Sequence, residues 1–111
     1  MTRDQVRARI RDTGIIPAIR VHSAAHAAFA MSAVFNGGIL VAELTMTTPG
    51  AIEVIQDQVR RNPDAAIGAG TVLDLETAKR CLDAGASFLT STGLDPEIVE
   101  FAEQHDVAVI P

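Results

Sequence analysis

The chain has 111 residues, 48% of them hydrophobic and 21% charged, with a formal net charge of −5. That is enough apolar material to core one domain, which excludes a disordered segment. With no Trp, no Tyr and four Phe there is neither a basic stripe nor a stacking surface, so no nucleic-acid partner is expected.

Arg3 to Asp12 reads as a short polar helix whose apolar stripe is Val6 and Ile10, one turn apart. Asp4 and Asp12 lie among the four arginines of this segment, and no long apolar run follows, so a targeting peptide is not expected. No stretch reaches transmembrane length, and the expected compartment is the cytoplasm, without membrane contact.

Gly14 breaks the helix, and Ile15 to Ile19 reads as a strand buried on both faces, ending at Arg20. Ser23 can cap a helix that puts Ala24, Ala27, Met31, Val34 and Phe35 on one face, and Asn36-Gly37-Gly38 stops it. A second strand is expected from Ile39 to Leu44. Thr48 and Pro49 suit the N-cap and first position of the next helix, with Ile52, Ile55 and Val59 inward and Asn62-Pro63 as its end.

Ala65 to Ala69 reads as a third strand, Phe88 to Ser91 as a fourth and Val107 to Ile110 as a fifth. Asp74 and Asp95 cap the intervening helices, the second of which begins with Pro96. Strand starts recur roughly every 20 to 26 residues, the spacing of βα units that build a parallel sheet. Residues 1–13 are therefore expected to form an N-terminal helix and 14–111 a run of βα repeats in a single domain. An open doubly wound sheet and part of a (β/α)₈ barrel both fit, and polar residues at nearly every strand end favour the barrel.

Those strand ends hold the chemistry. Glu43 follows four apolar residues, a depth at which partial desolvation suits a carboxylate to proton transfer; its structural alternative is an ion pair with Arg20. Gly68-Ala69-Gly70-Thr71 could bring backbone N–H groups and a hydroxyl to an anion, or form a tight strand-to-helix turn. Ser91-Thr92-Gly93 carries the same two readings.

His22 and His26 lie four apart but lack a third ligand at convincing spacing, so no metal is expected there. His105 suits a helix C-terminus. Cys81, the single cysteine, falls on an apolar stripe with Leu75, Ala78 and Leu82 and reads as core. Lys79, the single lysine, falls on the opposite, solvent side, where Glu76 could pair with it or with Arg80.

Three segments together resemble the 2-keto-3-deoxy-6-phosphogluconate (KDPG) aldolase and 4-hydroxy-2-oxoglutarate (KHG) aldolase family. They are Gly14-Ile-Ile-Pro-Ala-Ile-Arg20, Ala42-Glu-Leu-Thr-Met-Thr-Thr48 and Gly68-Ala-Gly-Thr-Val72, and the likeness continues through Ser91-Thr92-Gly93 to Val109-Ile110-Pro111. The resemblance implies a (β/α)₈ barrel, here about five of its strands plus the N-terminal helix, in a homo-oligomer, commonly a trimer. It implies Glu43 as general acid/base, Thr71 as a binder of the pyruvate carboxylate and Arg20 as a substrate-binding residue, with Thr45, Thr47, Gly70 and Ser91 lining an oxoacid pocket that needs no cofactor.

Some relatives carry Arg where this chain has Thr47, and Pro is usual at Thr92. By the same resemblance, the Schiff-base lysine belongs to a sixth strand beyond Pro111. The 111 residues are thus expected to be a truncated or partial aldolase without activity alone, or a half-barrel module that binds oxoacids or assembles.

Overall fold

A computed structural model describes all 111 residues. Five helices and five strands alternate: α1 Arg3–Thr13, β1 Ala18–Ile19, α2 Ala24–Asn36, β2 Val41–Thr45, α3 Ala51–Arg61, β3 Ala66–Gly70, α4 Leu75–Asp83, β4 Phe88–Thr90, α5 Pro96–Gln104 and β5 Ala108–Ile110. The strands form one parallel sheet in the order β1-β2-β3-β4-β5, with Glu43 level with Gly68, Thr45 with Gly70, and Leu89 with Val109.

Strand alternation sends successive side chains to opposite faces, and the two faces carry different loads. Ala42, Leu44, Ile67, Ala69 and Leu89 pack with Met31, Ile55, Cys81 and Ile98, which belong to α2, α3, α4 and α5 respectively. Val41, Ala66, Phe88 and Ala108 form a smaller cluster on the other face, where Val6 of α1 and the flanking Ile10 and Ile16 cover the N-terminal ends of the strands. Four helices on one face and a strictly sequential strand order exclude the doubly wound alternative, which places helices on both faces and reverses its strand order. The fold is α/β of the TIM-barrel type, and its inner face is apolar at the bottom and polar at the top.

Most caps follow the sequence. The Ser23 hydroxyl accepts the His26 amide at 3.1 Å, and the Asp74 carboxylate accepts the Thr77 amide at 2.7 Å, a bond that lowers the carboxyl's pKa. His105 closes α5 with Nδ1 at 2.8 Å from the Phe101 carbonyl. Cys81 is fully buried with Sγ 3.5 Å from Met46 Sδ, and burial pushes its pKa up to about 11. No helix is long and apolar enough to cross a membrane.

Three expectations are corrected. β1 is two residues long at the sheet edge, with Ile15 53% exposed, because only one neighbouring strand is there to cover it. Thr48 does not cap α3: its hydroxyl donates to the Val21 carbonyl at 2.7 Å, tying the loop after β1 to the loop after β2, and Gly50 in the left-handed region starts the helix instead. Glu76 makes no ion pair; the charged contacts are Asp57 with Arg60 and Arg61, and Arg3 with Asp106.

Candidate active site

The polar end of the inner face is built by β2, β3 and β4 with the residues that follow β1 and β3. Glu43 and Thr45 share the inner face of β2 with Val41, while the opposing positions of β3 are Gly68 and Gly70. Neither glycine has a positive φ, so conformational freedom does not account for them; space does. A Cβ on Gly68 would lie 2.3 Å from the Phe88 ring, and one on Gly70 would lie 2.8 Å from Glu43 Oε1. The two glycines open a lane across β3 through which β2 and β4 side chains meet.

Glu43 uses that lane. Its Oε2 accepts a hydrogen bond from the Thr90 hydroxyl at 2.8 Å, and the carboxylate is half-buried. The Arg20 ion pair expected as the structural alternative does not form. Arg20 lies on the residue after β1, a pleat beyond the Ala18–Glu43 level, and extends over the strand ends. There its guanidinium donates to Thr71 Oγ1 at 3.1 Å and to Thr47 Oγ1 at 3.4 Å. Thr47 Oγ1 lies 2.7 Å from Thr45 Oγ1, so the hydroxyls of β2 buttress the guanidinium.

Thr71 is held at φ 56°, in the left-handed region that a β-branched residue rarely enters. Sheet bonds on either side fix it there: the Met46 amide donates to the Gly70 carbonyl at 2.8 Å and the Val72 amide to the Thr90 carbonyl at 3.1 Å. The strained backbone presents the Thr71 hydroxyl to Arg20. Strain of this kind concentrates where function over-determines conformation.

Of the residues singled out in the sequence, Arg20, Thr45, Thr47 and Thr71 form one bonded cluster, and Glu43 and Gly70 meet beside it. Ser91 does not join either group, since its hydroxyl donates to the Gly93 carbonyl at 2.7 Å within a local turn. Thr90 was missed. Strand alternation could have found it, because Phe88 and Thr90 have the same parity and Ser91 the opposite one. Lys79 is exposed on α4, across the sheet from Glu43, lining a surface groove between α4 and α5. His22 and His26 are exposed near the start of α2.

The arrangement defines a class: a (β/α) barrel-type chain with a carboxylate and a guanidinium at the C-terminal ends of its strands, the end where such folds keep their reacting groups. Residues 6–111 match the family model for KDPG and KHG aldolases, and the chain belongs to that family.

Among curated relatives, the chain is 33% identical over 97 residues to the KHG/KDPG aldolase of Escherichia coli, an alignment covering 87% of this chain and 46% of that protein. It is 35% identical to the 2-dehydro-3-deoxy-phosphogluconate aldolase of Treponema pallidum, with the same coverages. Among solved structures, the 2-keto-3-deoxy-6-phosphogluconate aldolase of Zymomonas mobilis with 3-phosphoglycerate superposes with a TM-score of 0.85 at 31% identity, over 100% of this chain and 52% of that one. The KDPG aldolase of Legionella pneumophila, with pyruvate captured as a covalent carbinolamine, gives 0.78 at 34% identity, over 86% and 47%. The chain spans about half the length of the curated relatives it matches.

Proposed function

We propose that these residues supply the proton-transfer and carboxylate-binding half of a class I aldolase site. The reaction is cleavage of a 2-keto-3-deoxy sugar acid phosphate, or of 4-hydroxy-2-oxoglutarate, to pyruvate and an aldehyde, glyceraldehyde 3-phosphate or glyoxylate. The observation that carries the proposal is the placement of Glu43 and of the Arg20–Thr71 pair at the same end of the same face of the sheet.

Arg20 has no carboxylate partner, and a guanidinium that spends two donors on threonine hydroxyls keeps others for an incoming carboxylate. Glu43, with Oε1 free of protein donors, moves protons as the carbinolamine loses water and the enamine is protonated. Thr45, Thr47 and Gly70 shape the floor.

The imine needs an amine in the pocket, and Lys79 is on the wrong side of the sheet to be it. The amine therefore comes from residues outside these 111, and the chain by itself releases no pyruvate. A second reading is a half-barrel that binds oxoacids without turning them over, which the free donors of Arg20 would also serve. In either case we infer a cytoplasmic protein that assembles as a homo-oligomer, by family resemblance a trimer. Borohydride treatment in the presence of pyruvate, followed by intact mass measurement, tests the division of labour. No added mass is expected on this chain, and a reduced adduct on Lys79 would contradict it.

A further inference from the structure

We propose that Thr90 is a positioning residue that, with the gap at Gly70, seats the Glu43 carboxyl in one orientation and leaves Oε1 as the oxygen that exchanges protons. The inference rests on the reading of Glu43 as the proton-transfer group. A glutamate reaching into a pocket has several rotatable bonds, and fixing it there costs rotamer freedom. An acid/base group needs its reacting oxygen at a set point, so something must select the rotamer.

Two features of this chain do so together. The Thr90 hydroxyl holds Oε2 at 2.8 Å. The missing side chain of Gly70 provides the space that the carboxyl occupies: a Cβ there would stand 2.8 Å from Oε1, 3.1 Å from Cδ and 3.2 Å from Thr90 Oγ1. Since Gly70 does not sit at positive φ, alanine would be admissible to the backbone, and the closest intrusion would fall on the Glu43–Thr90 pair. The register explains why Thr90 is the residue that reaches: Glu43 is level with Gly68, whose gap the Phe88 ring fills, so the carboxyl leans one pleat upward to the level of Gly70 and Thr90.

The test is the carbon-13 signal of the Glu43 side-chain carboxyl, recorded on the ligand-free chain and assigned by its loss in Glu43→Gln. Thr90→Val keeps the shape and removes the donor, so the signal is expected to move or broaden, whereas Thr90→Ser should restore it to the wild-type position. Gly70→Ala should displace it as well, and the double variant should shift it no further than the larger single change, because both substitutions break one contact. A wild-type signal in Thr90→Val, with the backbone amide spectrum intact, would overturn the proposal. Should Thr90→Val fail to fold, a wild-type signal in Gly70→Ala would do so. No ligand enters the measurement, so its failure is distinct from a failure of the chain to bind pyruvate.

Discussion

At φ 56°, Thr71 carries a β-branched side chain where glycine is favoured, a conformation that costs about 1–3 kcal/mol. The hydroxyl so presented accepts a hydrogen bond from Arg20. Thr71→Gly should therefore match or exceed wild-type stability in urea denaturation. Thr71→Val, which keeps the strain and loses the hydroxyl, should fall below it by up to about 1 kcal/mol. Equal losses in both variants would contradict the strain argument. Cys81 supports a second prediction at this scale. Its thiol has an ordinary value near 9.0 when unfolded and about 11 when folded, so between those values the unfolded chain sheds a proton that the folded one keeps. Stability from this group is complete below about pH 9 and declines toward pH 11, by at most about 1.4 kcal/mol per pH unit. The decline should be smaller in Cys81→Ala when the two chains are compared by denaturation across that range.

Elements meet at the two glycines of β3. A methyl on Gly68 would strike the Phe88 ring at 2.3 Å, and Phe88 is fully buried among Val6, Val41, Ala66 and Ala108, so the ring cannot retreat. Gly68→Ala should cost about 1–3 kcal/mol by thermal denaturation, as overpacking does, while Gly93→Ala, with nothing within 4 Å of its new methyl, should be close to neutral. The contrast shows which parts of the structure were legible in the sequence. Helix starts at Ser23, Asp74 and Asp95 could be read because capping is local, and the strand-end cluster could be read because polar residues ended apolar runs. Thr48 could not, because its hydroxyl is claimed by Val21, a residue 27 positions earlier. Alternation along β4 turns Thr90 inward, but its pairing with Glu43 could not be read: the lane across β3 exists only once the register sets Gly68 and Gly70 between β2 and β4. β1 was overestimated since an Ile-Ile-Pro run gives no sign that it lies at a sheet edge.

The whole molecule is a parallel sheet with α1 under its inner face, four helices outside, and a polar cluster at one end. β1 and β5 each pair on one side only, and the relatives the chain matches are about twice its length. The strand-end cluster is proposed to take an oxoacid carboxylate on Arg20 and Thr71 beside Glu43. Pyruvate titration of the isotope-labelled chain, followed by NMR in wild type and in Arg20→Gln, tests it most directly. Saturable shifts should centre on Arg20, Thr47 and Thr71, and the affinity should fall about tenfold or more in the variant, the loss expected of a charge-assisted hydrogen bond. Shifts confined to the α4–α5 groove around Lys79, or equal affinity in the two proteins, would contradict the account.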